Sequence, residues 1–543
     1  MTKSQRAGSR ERRATRRPVC GMWIAASLMF AFSGVFAQPV TADIERYEVS
    51  GNTLLSPLQV EQVLGLLPRR VTFDDIQRAA QELQQAYRAA GYGAVIVQIP
   101  EQDLQQGLLR FQVFEGKLAQ VQVTGQQTAS RDTILSSVPA LVPGHTPNLK
   151  ALDSQLLMAN ENPGRTVRVI FQPGEQSTDV EALVVVEELP LRRWQWVLDN
   201  TGNSATGHGR LSLGYQQTNL FNRDAVLGVN ATVSPTKPSK VQIVGTTLRV
   251  PLYTHHVFLE GSLLSSNTSN AVNSTPAGEL RFSGKGHAIG MRALWLMPSL
   301  GEVKSRASLG VDARRYRNEC SLGEFGAAGC GSAAASVDVL PLSFGLQAQR
   351  LGAWSAHAEY VANLPWGSAG RNADFHANRT GARSNYRLVR AGAQVQHSVT
   401  PKWSVGWRVD GQWAMTPLVP AEQFGSGGAS TVRGYHERSL NTDSGVNTSL
   451  EVRTPLSSLV GSASGSSEPT VSAFVDAASA SNRIGAECSN GHTRCSIWSF
   501  GVGAALRPSD RSLIRIELAR AGRAAGATAA GDWRLHVSLN HSL

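Results

Sequence analysis

From Leu191 onward the chain alternates apolar with polar or small residues, in segments of about ten residues. One parity carries Leu211, Leu213 and Tyr215, then Trp403, Val405, Trp407 and Val409, then Ile514, Ile516 and Leu518, and finally Trp533, Leu535, Val537 and Leu539. The other carries Arg408, Asp410, Gln412, Arg515 and Glu517, which cannot face a hydrophobic core unpaired. An apolar face backed by a charged one predicts transmembrane β-strands around a polar lumen. Sixteen such segments can be counted, with short turns ("NLFNRD", "LYTHH", "VTPKW", "RPSDR") between longer loops near 268–279, 317–335, 365–384, 415–442, 481–495 and 520–531. Short turns belong on the periplasmic side and long loops outside. A soluble β-sandwich has no need of sixteen strands.

Residues 43–190 follow a different rhythm, β-α-α-β-β, written twice. In the first copy a strand through Tyr47 and Val49 is followed by a brief helix from Pro57. A longer helix then sets Phe73, Ile76, Ala80, Leu83 and Tyr87 on one face. Thr72 with Asp75 predicts its capping box, and Gly91 its C-terminal stop. Strands through Val95, Val97 and Ile99, and through Leu109, Phe111 and Val113, close the unit. The second copy starts at Leu118, places Ile134, Leu135, Leu152 and Leu156 on helices, and ends in "RTVRVIFQPG" and "DVEALVVVEE". The expected division is a signal peptide over 1–37, a short segment 38–42, two α+β units over 43–117 and 118–190, and a sixteen-stranded antiparallel transmembrane β-barrel over 191–543.

The signal-peptide reading follows from a basic start, an apolar run from Val19 to Phe36 and the small Ala37. Removing it takes away seven Lys/Arg and one Glu and lowers the formal charge from +11 to +5, so the high isoelectric point implies no nucleic acid. Four of the five cysteines then remain, as two close pairs, Cys320 with Cys330 and Cys488 with Cys495, both in predicted outer loops. An exported chain with this spacing predicts two local disulfides. No residue set has the spacing of a metal site, and no catalytic constellation is evident: the His255-His256 turn pair lacks a third partner. No cofactor is expected.

One stretch is left over, "FGSGGASTVRGYHERSL" from Phe424 to Leu440. Its inward-facing partners are open on parity alone, since Asp476, Glu451, Asp410 and Glu517 all face the lumen. Phe474 and Asp476 are inward because Val471, Ala473, Val475 and Ala477 take the lipid parity.

The stretches "GNTLL", "YRAAGYGAVIVQIPEQDLQQGLLRFQVFEGKLAQVQVTG", "VRGY" and "FVDAA" make the chain from about residue 43 onward resemble the TpsB transporters of two-partner secretion, the ShlB/FhaC/HecB-like branch of the outer-membrane POTRA-plus-barrel superfamily. The resemblance implies two POTRA domains in the periplasm that dock an unfolded cognate exoprotein, an adhesin or haemolysin, and a barrel that passes it out. Outer-membrane lipid and, during insertion, the barrel assembly machinery are the other implied partners. A role in assembling other outer-membrane proteins is the alternative, and a diffusion porin a third, which leaves the periplasmic units without a use.

The resemblance also implies that the loop bearing Val432, Arg433, Gly434 and Tyr435 folds into the lumen, with "FGSGGAS" as a bendable arm and Arg433 paired to Asp476 of the Phe474-containing motif. Ala478 stands where the family pattern has glycine, which puts close backbone approach there in question. With so few residues between Gln38 and the first strand, no N-terminal plug helix is expected.

Overall fold

The computed structural model describes residues 41–65, 70–104, 106–175, 179–275, 278–322, 335–460, 468–483 and 493–543, without the side chains of 268–283 and 319–322. The proposed signal peptide, Cys330 and Cys488 lie outside the described residues, as does the side chain of Cys320; Cys495 is disulfide-bonded.

The first unit is built by its caps. Ser56 and Gln59 form a capping box on helix Pro57–Leu64, and Thr72 and Asp75 form one on helix Phe73–Ala90. Gly91, at φ 103°, ends the longer helix in the left-handed conformation that glycine adopts without strain. That helix buries Ile76, Ala79, Ala80, Leu83 and Tyr87 against a sheet ordered Arg46–Ser50, Leu108–Glu115, Val95–Gln98. Phe73, expected on the same face, is 62% exposed, because as the first helical residue it precedes the turn that packs. A short pair, Thr41–Asp43 with Arg70–Thr72, was not expected.

The second unit repeats the sheet order with Leu118–Thr124, Val180–Glu188 and Arg165–Pro173. Its helices are Arg131–Ser136 and Leu149–Ala159, and Ile134 and Leu152 are core residues. The two units meet end to end: Leu149 N–H donates to the Gly91 carbonyl (2.8 Å), and the Asn148 side chain donates to the carbonyl of Ala90 (3.1 Å). The last carbonyls of one helix are therefore satisfied by the start of another.

Sixteen antiparallel strands form a closed barrel. Strand 16 (Trp533–Ser542) closes on strand 1 (Arg192–Asp199) through five paired positions, Ser538 with Asp199 to Ser542 with Gln195. Closure leaves no unpaired edge, which is what a membrane demands of strands. Among the described residues no helix is long and apolar enough to cross a membrane. Leu213, Trp407, Val475, Ile516 and Leu535 are exposed on the outer face.

The expected loop at 268–279 is instead ladder. Strand 5 (Val257–Thr275) and strand 6 (Gly278–Leu300) stay paired to Thr275 with Gly278, and strand 7 (Val303–Leu322) is as long. The outer half of strand 5 ("SSNTSNAVNST") is polar at almost every position of both parities, so the alternation stops there although the hydrogen bonding continues. Strands of 19, 23 and 20 residues exceed the ~10 a bilayer needs.

The second unit is seated on the barrel's periplasmic turns. Arg165 pairs with Asp224 (2.5 Å), which also accepts from the Tyr253 hydroxyl (2.8 Å). Asn162 donates to the Thr218 carbonyl, and Thr133 to that of Asn222. Tyr253 and Phe258 of the barrel extend the unit's apolar core.

Candidate functional site

Between strand 11 (Ser404–Ala414) and strand 12 (Ser444–Pro455) the chain turns back on itself. A two-stranded stem, Phe424–Ser426 with Leu440–Thr442, carries the tip. Gly427 and Gly428 have φ of 103° and 112°, and a Cβ on Gly428 would collide with the Glu437 carboxylate, which accepts from the Ala429 N–H (2.7 Å). The glycines expected to make a bendable arm thus serve a turn of fixed hand. Ser426 donates to Asn447 on strand 12 (2.6 Å), which ties the stem to the wall.

Arg433 lies at the tip, buried. Its backbone N–H and Nε both donate to Asp476 Oδ2 (3.0 and 2.7 Å), and Nη2 donates to Oδ1 (2.9 Å). Nη2 also reaches Ser449 Oγ (3.2 Å), while Nη1 is shared by Glu451 (3.1 Å) and Glu517 (2.8 Å). The guanidinium lies over the Phe474 ring, 3.3 Å from its centroid. Strands 12, 13 (Thr470–Ser481) and 15 (Ser512–Ala521) supply these groups, brought to one level by register: Ser449 faces Asp476, and Glu451 faces Phe474. Burial works against the charge of Arg433, but its bonds to Asp476, with Glu517 and Glu451 near, raise its pKa above the usual arginine value.

The neighbours of Arg433 complete the attachment. Gly434 N–H donates to His536 Nε2 (2.9 Å) on strand 16. The Tyr435 hydroxyl lies within hydrogen-bond distance of the carbonyls of Trp498 (3.0 Å) and Arg523 (2.8 Å), which share its single proton, and accepts from the Arg523 N–H (3.1 Å). Val432 and Tyr435 pack with Ala478, whose methyl group is buried in that cluster, so the missing glycine is accommodated. Of the carboxylates left open by parity, Asp476, Glu451 and Glu517 all reach Arg433; Asp410 lies by Arg408 instead (3.7 Å).

Two further anchors had no sequence signal. Glu422, on the descending arm and buried, accepts from Arg314 (3.0 Å) and Tyr316 (3.0 Å) of strand 7, with Arg390 3.7 Å away. Asp443, at the loop's end, is held by Arg379 and by the N–H groups of Leu418 and Arg483 (both 2.9 Å). Arg379 follows helix Asn372–Asn378 in the loop between strands 9 (Trp354–Leu364) and 10 (Arg387–Ser398). The loop is therefore a strap fixed at three levels, touching walls on strand 7 and on strands 12 to 16. Among the described residues no group of three His, Cys, Asp or Glu side chains is placed to hold a metal ion.

A family model described as haemolysin secretion/activation protein ShlB/FhaC/HecB matches residues 181–506, and one for a ShlB-type POTRA domain matches 42–116. The outer membrane transporter CdiB of Escherichia coli is 23% identical over 421 residues, covering 73% of this chain and 66% of the relative, so the chain spans just under two thirds of that protein. The solved structure of CdiB from Escherichia coli superposes with a TM-score of 0.75 at 17% identity, covering 94% and 92% of the two chains. BamA from Haemophilus ducreyi, lacking its POTRA domains 1–3, superposes with a TM-score of 0.52 at 14% identity, covering 92% and 100%.

Proposed function

The chain belongs to the haemolysin secretion/activation family ShlB/FhaC/HecB, and from that premise we propose that it is an outer-membrane transporter that takes up one unfolded cognate exoprotein through its periplasmic units and passes it out through the barrel. The observation that carries this reading is the strap: a lumen crossed by a loop whose buried tip is held by ionic bonds to the wall. A pore for steady diffusion gains nothing from such an obstruction. A gated conduit for a chain does, since ionic bonds in a wet lumen can be exchanged.

Capture fits the two sheets. Each has two edge strands with one side unpaired within the sheet, Arg46–Ser50 and Val95–Gln98 in the first, Leu118–Thr124 and Arg165–Pro173 in the second. An extended client adding as a strand draws hydrogen bonds from backbone whatever its sequence, and specificity comes from neighbouring side chains. Arg433 and Asp476 are the proposed pin, with Phe474 beneath it and Val432, Gly434 and Tyr435 seating the tip. Direction needs no nucleotide, because folding of the client outside opposes its return.

The test is export of the cognate exoprotein, in cells carrying the full protein or a deletion of residues 43–190 at equal barrel abundance. Export should vanish with the deletion. Undiminished export would remove the capture step, and a defect in other outer-membrane barrels with normal export would favour the assembly role instead.

A further inference from the structure

We propose that the space directly beneath the loop tip is a binding site for an acidic stretch of extended polypeptide, whose carboxylates exchange with Glu451 and Glu517 on Arg433. The proposal deepens the transport reading and rests on it for the identity of the polypeptide.

A cavity of about 400 Å³ lies on the periplasmic half of the lumen, bounded by the turn Arg350–Trp354 and roofed by Ala429 and Arg433 of the loop. That volume is within the range of sites that hold a small ligand or a few side chains. Arg350, Arg408, Arg433, Arg453 and Arg515 line it against Glu451 and Glu517; Glu302 beside Arg350, Asp410 beside Arg408 and Asp476 beside Arg433 lie behind the lining, so the positive charge left to face the space is that of Arg515. Low-dielectric walls around such a recess focus its field and concentrate counter-charge. Arg515 is exposed to the lumen and makes no ion pair among the described residues. Each guanidinium can take a carboxylate through two parallel bonds.

The site is coupled to the pin by its roof. Asp476 is fully buried beneath Arg433, but the Glu451 and Glu517 side chains are 13% and 12% exposed, and both line the cavity. Arriving carboxylates therefore meet the Glu451 and Glu517 side of the Arg433 network first. Arg408, which donates to the Ser430 carbonyl (2.7 Å), links the same recess to the loop backbone. An acidic segment competing for Arg433 and Arg408 loosens the tip while Asp476 still holds it, so arrival of the chain precedes release of the loop.

The experiment is single-channel recording on the full-length protein in planar bilayers at ~0.1 M salt. Decamers of glutamate or lysine, or free glutamate at equal charge, are added on the periplasmic side. Poly-glutamate should block current at concentrations about tenfold lower than poly-lysine, with free glutamate without effect, and the preference should fall several-fold in Arg515→Gln and further in Arg408→Gln/Arg515→Gln. Arg515→Gln alters an exposed side chain that has no ion-pair partner among the described residues, and closed-form migration on unheated gels reports that each barrel is folded. Equal block by both peptides, block by free glutamate at the same level, or undiminished preference in the folded double variant would overturn the proposal. Export is scored in separate cells: export without poly-glutamate block sinks this site alone, whereas block without export sinks the transport reading.

Discussion

Two of the buried arginine–carboxylate contacts among the described residues are built differently. At the joint between the second periplasmic unit and the barrel, Arg165 has one carboxylate, Asp224, with both side chains at most 3% exposed and apolar residues around them. Burial pushes the Asp224 carboxyl above its usual range in spite of Arg165. At the loop tip Arg433 has three carboxylates and a serine, two of the carboxylates at the edge of a wet cavity. A lone pair in an apolar joint has nothing to exchange with, and breaking it strands a buried charge. A cation with several partners can release them one at a time. The difference separates a fixture from a latch.

Removing one side of the fixture should have the largest effect. Arg165→Ala leaves Asp224 buried without its cation, a loss of about 3–5 kcal/mol, read as a lower unfolding temperature of the full protein and faster proteolysis between residues 43 and 190. A barrel whose periplasmic units remain as protected as in the wild type would erase the distinction. Arg433→Ala also leaves Asp476 buried without its cation, but Glu451 and Glu517 can turn to the wet cavity once freed, so the loss should lie at the low end of that range, about 3 kcal/mol. The substitution should lower export sharply while the barrel still inserts, with protease cutting the 415–442 loop faster. Tyr435→Phe removes one hydroxyl that joins Trp498 and Arg523 to the tip, for about 1 kcal/mol and a partial loss of export. Ala478→Gly, which restores the family residue, should be the mildest, within about 1 kcal/mol, with export unchanged; a gain in export would mean that the alanine methyl hinders seating of the loop.

Much of the barrel was legible because its geometry puts successive residues on opposite sides, lipid and lumen, so alternation and pairing coincide. They part where both sides are water: the polar outer half of strand 5 lost the pattern and kept the ladder. Phe474 and Asp476 were placed inward by parity alone, and the family resemblance singled out Asp476. Parity treated Glu451 and Glu517 as rivals to Asp476, yet a guanidinium has five N–H donors and engages all three. Glu422 and Asp443 were invisible because their partners Arg314 and Arg379 lie on a far strand and in another loop, a conjunction that no local spacing records. Gly427 and Gly428 were visible as glycines, but their role in a turn of fixed hand needed their positive φ, and for Gly428 the collision with Glu437, to be seen.

The central claim is that Arg433 and Asp476 act as one unit in holding the loop. Exchanging the two charges would set a new carboxylate beside Glu451 and Glu517, so a cycle of removals is cleaner. Export is to be measured at equal barrel abundance for Arg433→Ala, Asp476→Ala and the double variant. If the two residues are one latch, the double variant exports about as much as the more impaired single variant, the non-additivity of groups that share one interaction. Multiplied defects in the double variant would show that they act independently and would contradict the account.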